Sequence, residues 1–181
     1  LPRFLNVKNF DDINYYPINI KKKDNLIIEK GKINIGLAWS GNPNFYLDEY
    51  RSISFKNFRP ILNIKNAKFF KLSQTIKSKE FLDSNLKSNL LDLGDKSIFE
   101  ISQIMKELDL VVSSDTSIIH MAGILNVKSI LLLNYNSEWR WFRDKKKTIW
   151  YPSVDIIKQK EFNSWDYVFL ELKNRIEKLI L

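Results

Sequence analysis

Short apolar runs alternate with segments of helical periodicity along the chain, and this alternation constrains the fold more than any other feature. The four strongest predicted strands span 33–39, 67–72, 108–113 and 128–133, and two weaker ones span 89–91 and 154–158. Their near-continuous apolar character is typical of strands covered on both faces. Strand and helix signals that alternate in this way predict an α/β fold with a mostly parallel sheet and helices on both faces.

The helical segments between these strands carry their own boundary signals. Ser97 and Glu100 have the spacing of a capping box, which predicts a helix that begins directly after Ser97. Further helices are predicted over 55–64, where Pro60 weakens the pattern, and over 116–125. At the C-terminus we expect Ser164 to cap a long helix with one apolar stripe.

Composition limits the chemistry available to the protein. The chain has 181 residues, no Cys and one His, so disulfides and thiolate sites are excluded and no metal site is expected. The irregular, polar residues 1–31 predict a connector, and 32–181 predict one domain. Because the chain opens on Leu1, we expect a missing region upstream. It shows neither a signal peptide nor an apolar run long enough for a membrane span, which predicts a cytoplasmic protein.

The charge of the chain is strongly positive and has two interpretations. Twenty-nine Lys and Arg against 21 Asp and Glu leave a net charge of +8. Such an excess is typical of proteins that meet anionic ligands, acidic membranes or nucleic acid. It is equally typical of compositional drift in a chain rich in Lys, Asn and Ile. No recognition helix, stacking sheet or zinc motif accompanies the charge, so a nucleic-acid partner is not expected.

Polar loops lie at the ends of the four strongest predicted strands. They contain Ser40, Gly41 and Asn42 after the first, Gln74 after the second, Ser113 to Ser117 at the end of the third, and Asn134 to Asn136 after the fourth. Ligands of open parallel sheets bind outside the carboxyl ends of the strands. The sequence therefore predicts a pocket at this edge. The glycines of the chain lack the spacing of a P-loop or dinucleotide motif, so neither of these phosphate-binding loops is expected.

The loop around Asp115 runs directly into a predicted helix. The first N–H groups of a helix have no internal partner and carry the positive end of its dipole. A phosphate there would meet the amides of Thr116, Ser117 and Ile118 and two hydroxyls, with His120 one turn further on. The alternative is purely structural: Asp115 or Thr116 is an N-cap and His120 is a partly buried, hydrogen-bonded histidine.

Three further groups near this edge have two interpretations each. Arg51 could neutralise a diphosphate bidentately, or it could form a surface ion pair with Asp48 or Glu49. Gln74 could contact a ribose or base, or be solvated. The cluster 139–143 could be a stacking rim or a hydrophobic plug, and we favour the plug for its central residues, Trp141 and Phe142.

These motifs occur in a recognisable order. The series runs through 36–43, 51–53, 71–74, 92–95, 108–123, 139–141 and 150–152. In this order they resemble the C-terminal, nucleotide-sugar-binding half of GT-B glycosyltransferases similar to the family 9 heptosyltransferases. The branch with the most similar motifs is fused behind tetratricopeptide repeats. The resemblance covers residues 33–181 and implies a Rossmann-like donor-binding domain.

The resemblance also implies an activity: metal-independent, inverting transfer of a hexosyl or heptosyl group from a nucleotide diphosphate sugar, with no other cofactor. Arg51, Asp115 and His120 match the residues implied in catalysis. The residues implied in donor binding are Ser40, Gly41, Asn42, Gln74, Asp115, Thr116, Ser117 and Ile118. Ser117 departs from the Gly or Ala that relatives often carry.

The implied partners lie largely outside these 181 residues. The acceptor would be a glycan, a lipid-linked molecule or a protein. The general base would belong to an upstream acceptor domain, with tetratricopeptide repeats before it. The protein itself would lie in the cytoplasm near the inner membrane face. We therefore expect the isolated chain to transfer no sugar. The alternative is a non-catalytic interaction or scaffold domain of a repeat protein, in which the nucleotide site has decayed.

Overall fold

The computed structural model describes residues 8–9, 12–22, 28–46, 48–72, 89–141 and 147–181. Within them the chain forms a six-stranded, all-parallel sheet. Its strands are β1 (Ile33–Ala38), β2 (Ala67–Lys71), β3 (Leu90–Asp92), β4 (Leu110–Ser113), β5 (Ser129–Leu133) and β6 (Val154–Lys158). The α/β fold expected from the alternation is confirmed, and all six predicted strands are present.

The strand order is β3-β2-β1-β4-β5-β6, so the chain builds outward from β1 in both directions. Strand β1 pairs with β2 on one side and with β4 on the other; Leu37 faces Lys71 and Val112. The point between β1 and β4 is therefore the topological switch point of a Rossmann-like sheet. Ala38 and Ser113 are register partners there, which brings the carboxyl ends of the two strands side by side.

Five α-helices lie in the described residues: α1 (Asp48–Arg51), α2 (Arg59–Leu62), α3 (Ile98–Met105), α4 (Ser117–Ile124) and α5 (Asp166–Ile180). The capping box predicted at Ser97 is confirmed, because the Ser97 side chain accepts from the Glu100 N–H and the Glu100 carboxylate accepts from the Ser97 N–H. Two predicted boundaries are wrong. The segment 55–64 is a 3-10 turn (Phe55–Phe58) followed by α2, because Pro60 lies in the first turn of a new helix.

The second wrong boundary is the start of α5. Trp165, not Ser164, occupies the N-cap position, and no side chain caps the helix. Asn163 adopts a positive φ of 62°, which turns the chain just before the helix. Ser164 therefore precedes the N-cap position and does not occupy it. The pattern of polar and apolar residues predicted the helix, but the turn geometry decided which residue begins it.

The two faces of the sheet are covered by different helices. On one face the 3-10 turn, α2 and α5 enclose a core in which the Phe58 and Phe169 rings meet edge to face at 4.8 Å. On the other face α3 and α4 pack against β1, β2 and β4. A smaller cluster around Trp141 covers the β5–β6 end. Helices on both faces explain why the strands have apolar residues at nearly every position.

The described part of the N-terminal segment lies against α4. The Tyr15 hydroxyl donates to the Gly123 carbonyl oxygen at 2.6 Å, and the Ile18 N–H donates to the Ile124 carbonyl oxygen at 3.0 Å. Carbonyls at the end of a helix lack i+4 partners, and this segment donates to two of them, although the Gly123 carbonyl oxygen also accepts from the Asn126 N–H at 3.0 Å. The division into a connector at 1–31 and a domain at 32–181 stays a prediction. No helix among the described residues is long and apolar enough to cross a membrane.

We predict that Leu172→Ala destabilises the protein far more than Leu170→Ala. Both leucines lie on α5, but Leu172 is fully buried and Leu170 is 61% exposed. The first substitution removes buried apolar contacts and leaves a cavity, for an expected cost of about 2–5 kcal/mol. The second should change stability by less than about 0.5 kcal/mol. Urea unfolding measures both values, and similar losses would contradict the assigned helix face.

We predict that Ser97→Ala lowers the free energy of unfolding by about 1 kcal/mol, since it removes a capping hydroxyl. Ser164→Ala is the matched control, because no side chain caps α5. Its expected effect is within about 0.5 kcal/mol. Equal losses for the two variants in urea unfolding would show that Ser164 does act as a cap.

Candidate functional site

A cavity of about 350 Å³ lies at the carboxyl edge of the sheet. Its lining residues are Phe45, Tyr50, Arg51, Asp115, Asn134, Tyr135, Asn136, Glu138, Gln159, Phe162 and Asn163. They come from the segments after β1, β4, β5 and β6. The cavity therefore occupies the edge at which open α/β sheets bind ligands, beginning at the switch point.

Two of the four predicted polar loops contribute to this cavity, through Asp115 and Asn134, and Arg51 joins them from the helix that follows the loop after β1. Gln74, from the loop after β2, lies outside the described residues. The loop after β6, which supplies Gln159 and Phe162, is not among the polar loops predicted from the sequence. The signal for it is present in the sequence, because 154–158 is a predicted strand and the loop after each parallel strand lies at the same edge of the sheet.

Arg51 is held in place by two contacts. Its Nε donates to Asp48 Oδ1 at 2.9 Å, and its guanidinium lies 4.4 Å from the centre of the Phe45 ring. The ion pair with Asp48, the alternative interpretation of this residue, is thus present. It does not remove Arg51 from the cavity, which the side chain also lines. An arginine has five N–H donors, and only Nε–H is used by Asp48.

Ser40, Gly41 and Asn42 follow β1 but are not among the residues that line the cavity. The Gly41 N–H donates to Ser52 Oγ at 3.2 Å, and Asn42 Oδ1 accepts from the Asn44 N–H at 3.0 Å. A Cβ on Gly41 would lie 2.4 Å from Arg51 Nη2. Gly41 therefore makes room for Arg51, and its predicted contact with a ligand stays a prediction.

The start of α4 differs from the predicted arrangement in one respect. Thr116 occupies the N-cap position but its side chain makes no capping bond. Its hydroxyl instead lies 3.1 Å from Ser113 Oγ, and both residues are buried. The Thr116 hydroxyl is thus engaged inside the protein, while Ser117 is exposed and Ile118 is buried.

One hydroxyl near α4 is notable for lacking a partner. Ser114 is completely buried, and within the described part of the chain its Oγ forms no hydrogen bond. Ser40, after the neighbouring strand β1, is half-buried, but its Oγ is also buried and has no partner among the described residues. Buried hydroxyls without a partner are uncommon, because the lost hydration is not replaced. Both lie in the loops that leave the switch point.

His120 is surrounded by three neighbours. Its Nδ1 lies 3.1 Å from the Tyr151 hydroxyl, its Nε2 lies 3.8 Å from Asp115 Oδ1, and its ring stacks on Trp141 at 5.1 Å. Burial lowers the pKa of His120, and Arg140 acts in the same direction, whereas Asp115 opposes the shift. The pKa shift favours the neutral imidazole. Within the described part of the chain His120 does not line the cavity but contacts Asp115, which does, and this agrees with the alternative of a partly buried histidine.

Trp141 is fully buried against β5 and β6 and acts as the predicted plug; Phe142 lies outside the described residues. Trp139, two residues earlier, is 78% exposed. The cluster is therefore divided between a buried plug and an exposed side chain.

The charge at the cavity is nearly balanced. Among its lining residues, one cation, Arg51, stands against two carboxylates, Asp115 and Glu138, and Glu138 is paired with Arg140. Four aromatic rings and four side-chain amides complete the lining. Such groups can stack on flat rings and hydrogen-bond to hydroxyls and heterocycles. The large net positive charge of the chain is not concentrated at this site.

Comparisons with protein-family models, with curated proteins and with solved structures found no match to this chain. Among the described residues, no group of three or more His, Asp or Glu side chains could hold a metal ion.

We predict that His120→Gln weakens the pH dependence of stability between pH 7.5 and 5.5. The pKa of His120 is lower in the folded protein than its unfolded value of about 6.5. The unfolded chain then binds the proton more tightly, so the stabilisation from neutral His120 is present above pH 6.5 and is lost as the pH falls towards the folded pKa.

His120 is the single histidine of the chain, so the variant isolates this contribution. Melting temperatures of both proteins at the two pH values test the prediction. Because Gln does not titrate, the drop in melting temperature on acidification should be smaller for the variant. An equal drop in both proteins would show that the folded state does not disfavour protonation of His120.

Proposed function

We propose that the chain is the donor-binding domain of an inverting, metal-independent glycosyltransferase. The ordered motif series from residue 36 to residue 152 supports this proposal through its resemblance to family 9 enzymes. The observation that carries it is spatial: Arg51, which follows β1, and Asp115, which follows β4, line one cavity at the switch point. The two strands are not consecutive, so their meeting there depends on the Rossmann-like order.

The nucleotide diphosphate would lie between Arg51 and the start of α4. Negative charge that develops on the departing diphosphate would be offset by the guanidinium and by the N-terminal end of the α4 dipole. The upstream acceptor domain would supply the general base, so the isolated chain should bind the donor without transferring its sugar.

The remainder of the cavity suits the uncharged parts of a nucleotide sugar. Tyr135 and Phe162 offer faces for a base or a sugar ring. Asn134 and Asn163 offer amides, and Glu138 offers a carboxylate, as partners for hydroxyl groups. A volume of about 350 Å³ lies within the range of small-molecule sites.

A scaffold domain with a decayed nucleotide site is the second candidate. The observation that favours it is the charge balance: two carboxylates and one arginine line the cavity, and the arginine already has a carboxylate partner. A site that no longer binds a diphosphate could retain the fold and this ion pair. The two candidates differ in one measurable property, which is affinity for a nucleoside diphosphate.

We predict that the protein binds at least one of UDP, ADP and GDP in calorimetric titration, and that Arg51→Ala weakens this binding by about 1–3 kcal/mol. That range corresponds to the loss of a charged hydrogen bond. Arg175→Ala is the matched control, because Arg175 Nε pairs with Glu171 Oε1 at 2.7 Å on α5, and neither lines the cavity.

The control variant should keep the wild-type affinity. If none of the three nucleotides binds at millimolar concentration, the scaffold candidate is favoured. If binding is unchanged by Arg51→Ala, Arg51 does not belong to the site.

A further inference from the structure

We propose that Asp48 and Gly41 form a clamp that positions the guanidinium of Arg51 at the cavity. This inference rests on the proposed function for its consequence in binding, but the clamp itself is a property of the described residues. In it Asp48 is a positioning residue: it acts on a ligand only through Arg51.

Asp48 is buried more deeply than an ordinary surface carboxylate. Its side chain is 10% exposed, compared with 30% for Glu171 in the other Arg–carboxylate pair on a helix, Arg175–Glu171. A carboxylate that is removed from water needs compensating hydrogen bonds. Asp48 has them on both oxygens, because Arg51 Nε donates to Oδ1 at 2.9 Å and Ser52 Oγ donates to Oδ2 at 2.7 Å. The pair is therefore not an ordinary solvated ion pair.

The loop after β1 is hydrogen-bonded to the Asp48 carboxylate through Ser52. The Gly41 N–H donates to Ser52 Oγ, whose hydroxyl in turn donates to Asp48. The Ile53 N–H donates to the Trp39 carbonyl oxygen at 2.7 Å, which ties the returning chain to the end of β1. The clamp is thus attached to the end of β1, the central strand of the sheet. This attachment holds Arg51 in a fixed position relative to the switch point.

Gly41 leaves no room for a side chain beside Arg51 and Asp48. A Cβ there would lie 2.4 Å from Arg51 Nη2 and 2.6 Å from Asp48 Oδ1. Any larger residue would displace the guanidinium from its present place. The guanidinium also rests on the Phe45 ring, 4.4 Å from the ring centre. Three neighbours therefore restrict Arg51, and the same residue lines the cavity; among the described residues its Nη groups make no hydrogen bond.

The clamp has a consequence for ligand affinity. A flexible arginine loses side-chain entropy when it binds a ligand, whereas a guanidinium already held by Asp48 has lost that freedom in the free protein. The carboxylate lowers the net charge of the site, and in exchange it presents the remaining N–H donors in one orientation. The pairing of Arg51 with Asp48, which favours a decayed site when considered alone, is on this view part of a binding device.

Two variants test the clamp, Asp48→Asn and Gly41→Ala, each made in the wild-type and in the Arg51→Ala background. Glu171→Gln is the matched control, since it alters the Arg175 pair on α5. The first measurement needs no ligand: the side-chain Nε–Hε NMR signal of Arg51, assigned by its disappearance in Arg51→Ala. We expect slow hydrogen exchange for this proton in the wild type and at least about tenfold faster exchange in Asp48→Asn, because its acceptor is weakened.

The second measurement is calorimetric titration with UDP, ADP and GDP. Asp48→Asn and Gly41→Ala should each weaken the tightest of these about five- to tenfold, and neither should weaken it further in the Arg51→Ala background, because residues that act through one another are not additive. Glu171→Gln should leave the affinity unchanged. Gly41→Ala covers the case in which Asp48→Asn fails to fold, since the atoms that its Cβ meets first, Arg51 Nη2 and Asp48 Oδ1, are side-chain ends and not backbone.

The outcomes separate the clamp from the proposed function. An Arg51 signal that exchanges rapidly in the wild type, or that is unaffected by both substitutions, overturns the clamp. The clamp is also overturned if neither substitution weakens nucleotide binding, or if both weaken it as much in the Arg51→Ala background as in the wild type. If the NMR signal responds as expected but no nucleoside diphosphate binds to the wild type, the clamp stands and the proposed function fails.

Discussion

The position of β1 between β2 and β4 is the constraint on which the rest of the structure depends. Parallel strands cannot be joined by tight turns, so each connection must cross a face of the sheet. After β1 the chain leaves through the 3-10 turn and α2 to one face, and after β4 it leaves through α4 to the other. The two connections diverge at adjacent strand ends, and the space between them is the start of the cavity. The site is thus a consequence of chain topology.

This topology also explains the character of the loops that leave the switch point. Their backbones are anchored by strands buried on both faces, so short polar segments there can hold fixed positions. Ser114 and Thr116 are buried although they lie outside the sheet, and Arg51 is held by the buried Asp48. Polar groups in such places require partners, and their hydrogen bonds order the loops.

The charge of the protein is separate from the chemistry of the cavity. A net charge of +8 describes the whole chain, whereas the cavity lining combines Arg51 with two carboxylates, four amides and four aromatic rings. Such a lining favours a ligand with a small anionic group and a larger hydroxyl-bearing or heterocyclic part. Selectivity at the site would then come from oriented donors and stacking, with long-range attraction contributing to the rate of encounter.

The sequence by itself determined the fold class, the six strands, the capping box at Ser97 and the edge on which polar residues gather. These features depend on periodicity and capping, which involve only residues a few positions apart in the chain. The sequence did not determine the start of α5, where the turn at Asn163 places Trp165 at the cap, nor the break of the segment 55–64 at Pro60. Only the tertiary structure decided that Gly41 makes room for Arg51, that Thr116 bonds to Ser113, and that the loop after β6 lines the cavity. These features depend on contacts between segments far apart in the chain, and such contacts exist only once the sheet has brought its carboxyl ends together.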